Sequence, residues 1–182
     1  MMKKTTLVLA LALSTGAIFA QKKTTTSATV SFDATTSIDA LPKADNKTSV
    51  AALDTKTGAV AFEAVIKNFA FSNPKIQEHF NSAGWMDSDQ FPVAKFKGKI
   101  SNLTVISFSK DGSYEADVEG DLTIHGVTQP IKTKATIVVA STKISSKSEF
   151  KIKLEDYKVD GGAVAAGKVS KEPVITVAAD FN

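Results

Sequence analysis

The stretch AKFKGKI, residues 94–100, alternates without a break. Ala94, Phe96, Gly98 and Ile100 fall on one side of an extended chain, and Lys95, Lys97 and Lys99 on the other. A side-chain period of two belongs to a strand with one buried and one wet face. YEADVEGDLTI, residues 114–124, repeats the pattern with the opposite charge. There Tyr114, Ala116, Val118, Gly120, Leu122 and Ile124 share a face, against Glu115, Asp117, Glu119 and Asp121. In IKTKATIVV, residues 131–139, Ile131, Ala135 and Ile137 oppose Lys132 and Lys134. In FKIKLED, residues 150–156, Phe150, Ile152 and Leu154 oppose Lys151 and Lys153. Acidic and basic outer faces on successive strands favour cross-strand ion pairs, each contributing little where exposed.

Turn signals separate these runs. Asp111-Gly112 can close a hairpin between LTVISFS and YEADVEG. Thr57-Gly58 precedes AVAFEAVIKNFAF, Gly126 and Pro130 bracket a tight reversal, and Asp160-Gly161-Gly162 opens a small-residue loop. The runs predict eight strands, near 28–34, 48–54, 58–71, 93–108, 114–126, 129–141, 147–156 and 172–181. The polar lead QKKTTTSA, residues 21–28, predicts a mobile segment or an early edge. SNPKIQEHF, residues 72–80, breaks the β rhythm: Asn73 can cap, Pro74 suits the first helical position, and Ile76 and Phe80 share a face. This predicts a short helix from 74 to about 81, followed by an irregular stretch holding Trp85, Met86 and Phe91.

Antiparallel strands with one apolar face each lose their edges by closing into a barrel. The expected fold is therefore all-β, an eight-stranded antiparallel barrel with a short helix across one mouth. At eight strands the interior is filled by side chains or holds one small ligand.

Residues 1–20 read as a secretory signal peptide: MMKK is basic, TTLVLALALSTGAIF is apolar, and Ala20 offers a cleavage site. The apolar run is too short to span a bilayer, which needs about 20 residues. The expected organisation is a signal peptide over 1–20 and one barrel domain over 21–182, secreted or periplasmic. The net charge of +3 includes Lys3 and Lys4, so the remaining chain is nearly neutral. All basic residues are lysine, and arginine, the bidentate reader of phosphate and guanine, is absent. These features argue against a nucleic-acid partner. With no cysteine, disulfides, thiol nucleophiles and Cys-ligated metals are excluded.

Candidate chemistry is sparse. His79 follows Glu78 directly, so the spacing of a zinc-protease helix is missing, and His125 lies on another element. Both histidines read as structural or lid residues, and no metal site is expected. Asp87, Ser88 and Asp89 read as local caps beside a proline loop more readily than as paired catalytic carboxylates. There is no GxSxG and no phosphate-binding glycine loop. Catalysis is not expected, a hydrolase being the weakest alternative. Asn46-Lys47-Thr48 and Asn102-Leu103-Thr104 match glycosylation acceptors, which matter only in a eukaryotic secretory route.

The aromatic set carries more. Phe62, Phe69, Phe71, Phe80, Trp85, Met86, Phe91 and Phe96 crowd one stretch, while Ala64, Gly98, Ala116 and Gly120 put small residues on the presumed inner face. Small inner residues predict volume, and volume lined by phenylalanine and isoleucine accepts hydrocarbon. An outer-membrane barrel is a further alternative, opposed by only two tyrosines and one tryptophan for its aromatic girdles.

The stretches QEHFNSAGWMDSDQFPVAKFKGKI, residues 77–100, and GDLTIHGVTQPIK, residues 120–132, resemble the YceI-like family of lipid- and polyisoprenoid-binding proteins. SFDATTSIDALPKADNK, LDTKTGAVAFEAVIKNFAF and FKIKLEDYKV extend the resemblance, particularly to the compact branch common in the Bacteroidetes. The resemblance implies a lipocalin-like barrel with an isoprenoid chain in its interior and no catalysis. It makes Phe62, Ile66, Phe69 and Phe71 barrel wall, and Ile76, Phe80, Trp85 and Met86 the capping segment. Phe91, Phe96, Ile100, Leu122 and Ile124 become lining, with His79, Asp87 and Asp89 at the mouth. No cofactor is implied beyond a bound polyisoprenoid or quinone-type lipid. The expected partner is a lipid, without stable membrane insertion; a homodimer stays open. Where the wider family carries an Arg-Asp pair before the helix histidine, this chain has Ile76 and Gln77. The charged pair at the mouth is thus missing. The alternative function is the same barrel with a filled interior, a structural or stress-related protein acting through its surface.

Overall fold

A computed structural model describes residues 22–181; the expected signal segment lies outside the described residues. Nine strands are formed: β1 (Lys22–Asp33), β2 (Lys43–Asp54), β3 (Ala59–Val65), β4 (Ala70–Phe71), β5 (Val93–Ile100), β6 (Gly112–Ile124), β7 (Val127–Ala140), β8 (Lys143–Lys151) and β9 (Val174–Phe181). Helix α1 (Pro74–Asn81) lies between β4 and β5, and the single turn α2 (Gly162–Ala165) between β8 and β9. The strands run in the order β1-β9-β8-β7-β6-β5-β3-β2, and β1 pairs again with β2, closing an antiparallel barrel of eight. β4 is the ninth strand, appended to β2.

The alternation seen in the sequence maps onto this barrel. Outer charges stand opposite one another across the ladder, Lys97 to Asp121, Lys99 to Glu119 and Asp117 to Lys134. Ion pairs follow from that register: Lys134 Nζ lies 2.7 Å from Asp117 Oδ1, and Glu119 takes Lys99 at 3.5 Å and Lys132 at 3.6 Å. The outside is charged and the inside apolar, the reverse of a barrel whose outer face meets lipid. Among the described residues, no helix is long and apolar enough to cross a membrane.

Four expectations fail locally, each for a visible reason. The strand expected over 93–108 stops at Ile100, because LTVISFS folds as a 3-10 turn (Leu103–Val105) within the β5–β6 loop. Asn102 replaces the ladder there: its Oδ1 accepts from the Asp117 amide at 2.8 Å and its Nδ2 donates to the Glu115 carbonyl at 3.1 Å. Asp111 closes no hairpin; its Oδ1 accepts from the Ser141 amide, at the turn between β7 and β8. The strand expected over 58–71 is broken by a 3-10 turn at Ile66–Asn68. Buried Asn46 on β2 bridges that break, donating to the Val65 carbonyl at 2.9 Å. The polar lead is the edge of the two options expected: it extends β1 along β2, Lys22 facing Asp54 and Thr25 facing Ala51, while β9 joins β1 only from Thr29. The reversal expected between Gly126 and Pro130 is tighter than that. It is the two-residue turn His125-Gly126, both at positive φ, while Pro130 sits inside β7. Pro130 is tolerated because β8 pairs with β7 only from Ala135 onward.

The long connections 34–42, 66–92 and 152–173 all leave the same end of the barrel, which they cap. A core cluster at this end includes Phe32, Phe69, Phe80, Trp85, Leu154 and Tyr157. A second cluster, with Leu53, Ile100, Ile137, Val139 and Phe181, fills the opposite end.

Gly98 and Gly120 face each other across β5 and β6. A Cβ on Gly98 would come within 2.4 Å of the Glu119 carbonyl and 2.6 Å of the Phe96 ring; one on Gly120 would lie 2.4 Å from the Lys97 carbonyl. The clashing atoms include main chain, which cannot swing away. Gly98→Ala and Gly120→Ala are each expected to cost about 1–3 kcal/mol by overpacking, measured by urea unfolding; unchanged midpoints would contradict the close approach. Burial, helped by the charge of Asp156, pushes the Tyr157 phenol up to about 12. The unfolded chain releases that proton near pH 10. Stability from Tyr157 is therefore full below pH 10 and is lost as pH rises towards 12. In Tyr114→Phe, which leaves Tyr157 as the sole tyrosine, tyrosinate absorbance should rise near pH 12; ionisation at the ordinary value would contradict this burial.

Candidate functional site

The inward positions of the strands enclose a cavity of about 160 Å³. Its lining includes Ile66, Phe80 and Trp85 from the capped end, and Leu53, Ile137 and Phe181 from the other, so it runs lengthwise through the barrel. On β7 alone the lining extends from Ile131 to Ile137, about 20 Å of strand at ~3.3 Å per residue. Nearly all of the wall is carbon. The hydroxyls of Thr133 and Ser148 lie 3.1 Å apart, and Ser148 also donates to the Lys134 carbonyl at 2.7 Å. Lys95 and Lys147 reach the cavity from exposed positions.

The lid is built as the sequence suggests. Asn73 Oδ1 accepts from the Lys75 amide at 2.9 Å, Pro74 opens α1, and Phe80 points inward. Phe80 packs against the rings of Phe71, Trp85, Phe69 and Phe32, with centroids 4.9, 5.4, 5.8 and 5.9 Å away. Tilted and edge-on pairs at these distances are favourable beyond their buried area. Main-chain bonds after the helix then curl the chain: Trp85 to Ser82 at 3.0 Å, Met86 to Phe80 at 3.1 Å and Ser88 to Asn81 at 3.1 Å. The curl carries Trp85 and Met86 into the cavity wall. The segment is held down by the Ile66 amide on the Pro92 carbonyl and by the ion pair of Lys67 with Asp89.

Of the expected lining, Phe62, Ile66, Phe69, Phe80, Trp85, Met86, Phe96, Ile100, Leu122 and Ile124 line the cavity. Phe71 and Ile76 stand behind it, packed into the capping cluster. Phe91 turns away, because its amide bonds the Asp87 carbonyl and its ring packs on His125 at 4.4 Å. The sequence reading missed Val30 and Phe32 on β1 and Ile175 and Val177 on β9. Alternation in TVSF and ITVA was the available signal. Of the small residues expected on the inner face, Ala64 lines the cavity, while Gly98, Ala116 and Gly120 are absent from its wall; Ala94 and Ala135 line it unforeseen.

The mouth residues do not converge. His79 is exposed on α1, Asp89 is exposed and paired with Lys67, and Asp87 sits half-buried in a turn at φ 42°. Of the local bonds expected from Asp87, Ser88 and Asp89, the Ser88 hydroxyl makes one, donating to the Asn81 carbonyl at 3.1 Å, and main-chain groups make the rest of the turn. Among the described residues, no group of three or more histidines or carboxylates could hold a metal. Those whose ionisation the fold shifts stand elsewhere. The Thr35 amide and hydroxyl hold Asp33 down, the Thr57 and Lys56 amides hold Asp54 down, and Asp117 holds Lys134 up. None of these lines the cavity.

Comparison with known proteins agrees with this geometry. A solved structure described as a polyisoprenoid binding domain from Saccharophagus degradans, implicated in plant cell wall breakdown, superposes with a TM-score of 0.74 at 14% identity. It covers 89% of this chain and 98% of that one. BcnA of Burkholderia cenocepacia superposes with a TM-score of 0.71 at 17% identity, over 85% and 96% of the two chains. At such identities the likeness is one of fold. Among curated relatives, a UPF0312 protein of Pseudomonas fluorescens is 39% identical over 61 residues, 34% of this chain and 30% of that one. Protein YceI of Shigella flexneri is 32% identical over 88 residues, 45% and 42% of the two. The alignments thus span well under half of these relatives. Residues 14–181 match the family described as the YceI-like domain, and the chain belongs to that family.

Proposed function

We propose that this protein is an exported carrier that holds one long apolar lipid, isoprenoid or similar, inside its barrel and does not transform it. The observation that carries the reading is the lengthwise cavity with its carbon wall. The polyisoprenoid-binding description of the Saccharophagus degradans domain, which shares the fold, supports it. Transfer out of water stabilises a buried CH₂ group by about 0.8 kcal/mol, so affinity grows with the length enclosed. No cofactor takes part, and His79, Asp87 and Asp89 belong to the lid's exterior and turn.

The cavity's size favours a second reading as well. A dry apolar cavity of about 150 Å³ holds one benzene ring. The 160 Å³ here therefore matches about one isoprene unit. A longer chain needs half-buried rings such as Phe62, Phe96 and Phe150 to swing aside. If those rings stay, the interior is filled and the barrel acts through its surface.

A cavity-filling change separates the readings. Ala135 lines the cavity and is buried at 9% exposure. Ala135→Leu should keep the fold, checked by circular dichroism, and weaken binding of tritiated geranylgeraniol at least tenfold. Wild-type protein that takes up no geranylgeraniol, or a variant that binds it as well as wild type, would contradict the carrier reading. For export, N-terminal sequencing of protein from a cell's outer compartments should begin at Gln21; full-length chain retained in the cytoplasm would contradict it.

A further inference from the structure

The ladder between β7 and β8 is incomplete. It runs from Ala140↔Lys143 to Ala135↔Ser148 and stops there. Residues 127–134 of β7 continue along β6, and Glu149, Phe150 and Lys151 of β8 continue along β9, without pairing with each other. The Lys134 carbonyl faces β8, where the Ser148 hydroxyl donates to it at 2.7 Å. Main-chain groups alternate in direction along a strand, so the nitrogen of Pro130 faces the same seam and has no hydrogen to give. Other shortened ladders are closed over. Where β2 outruns β3, β4 pairs with β2. Where β1 outruns β9, Ala28, Ala179 and Phe181 are buried together. No strand fills the seam of β7 and β8. Side chains close it: Thr133 Oγ1 and Ser148 Oγ lie 3.1 Å apart, and Gln129 Nε2 donates to the Asp156 carbonyl at 2.9 Å. The Gln129 bond ties β7 to the 3-10 turn Leu154–Tyr157, which packs on β7 where β8 has left it. The seam borders the cavity directly. Ile131 and Thr133 on one side, and Ser148, Phe150, Ile152 and Leu154 on the other, all line it.

We propose that this seam is the entrance of the cavity: β7 and the turn Leu154–Tyr157 part sideways, and the apolar chain passes between Ile131 and Phe150 into the barrel. This rests on the carrier reading and says how its site is filled. The two ways in differ in what they disrupt. Lifting the lid exposes Phe80, Trp85 and Met86, all buried, and breaks the ring pairs of Phe80 with Phe32, Phe69 and Phe71. It also pulls on the bond of the Ile66 amide to the Pro92 carbonyl. Parting the seam breaks no rung of the ladder. It releases hydrogen bonds of polar side chains, each of which exchanges a protein partner for water. Ile131, Thr133, Ser148 and Phe150 are already half-buried in the closed barrel, so little new apolar surface is uncovered there. The turn keeps its own anchors as it moves. The Ile152 amide holds the Pro173 carbonyl at 3.3 Å and the Leu154 amide the Lys171 carbonyl at 3.0 Å, so it travels with the β9 side and leaves β7.

The chain has no cysteine, so an introduced pair reports on the seam alone. In Thr133→Cys/Ser148→Cys a disulfide takes the place of the 3.1 Å hydroxyl contact and fixes the seam shut. The oxidised variant is expected to take up tritiated geranylgeraniol roughly tenfold more slowly than the same protein reduced, or slower still, and to release preloaded geranylgeraniol more slowly by a like factor. Gln129 stands outside the cavity wall. Gln129→Ala, which unties the turn from β7, is expected to speed uptake and release alike by about fivefold, the effect of losing one hydrogen bond, so that Kd moves by less than about twofold. Equal uptake by the oxidised and reduced forms, or Gln129→Ala rates equal to those of wild type, would overturn the seam as entrance and leave the carrier reading intact, with the lid as the way in. Faster release from the oxidised form would mean a narrowed cavity and would overturn it too. If wild type takes up no geranylgeraniol, the carrier reading fails and the entrance with it.

Discussion

Closure of the sheet is the constraint on which the rest of this protein depends. Once β1 pairs with β2 as well as β9, every strand of the barrel has a neighbour on each side, and every period-two strand must choose one face for the inside. A one-residue slip of β5 against β6 would turn Phe96 and Ile100 out and drive Lys95, Lys97 and Lys99 in. The apolar interior, the charged exterior and the cross-strand ion pairs are three consequences of one register. Close approach at Gly98 and Gly120 belongs to the same constraint, because it lets two neighbouring strands come together where the Phe96 ring folds across.

The barrel ends are treated differently. One is plugged by ordinary aliphatic and aromatic packing around Leu53, Val139 and Phe181. The other is covered by α1 and the curl after it, where five aromatic rings meet in tilted and edge-on pairs. This lid is covalently short but well tied, by main-chain bonds at its entrance and by Lys67 with Asp89 and Ile66 with Pro92 at its exit. The exposed ion pair contributes little to stability. Opening the lid costs chiefly the burial of Phe80, Trp85 and Met86.

Strand faces, helix α1 and the aromatic lid were legible in the sequence because each rests on a short-range rule: alternation for β5 to β7, a cap and proline for α1, apolar bulk for the lid. What was not legible depended on partners far along the chain. Nothing local says that Asn46 would span the break after β3, or that Asn102 would end β5 by bonding Glu115 and Asp117. The family resemblance made Phe91 lining, yet a turn bond to Asp87 sends its ring onto His125. Gly98 and Gly120 looked like empty space, yet they mark backbone contact. The cavity wall also includes β1 and β9, whose alternation is weaker to the eye because threonine and serine, not charges, occupy the outer positions.

Native mass spectrometry of the protein, purified without detergent from its native cells, tests the central claim most directly. The account predicts one lipid per barrel, released on unfolding, with a mass that fits an isoprenoid or comparable long chain. Bare protein at every exposure to membrane lipid, with no adduct lost on unfolding, would contradict it and leave a barrel filled by its own side chains.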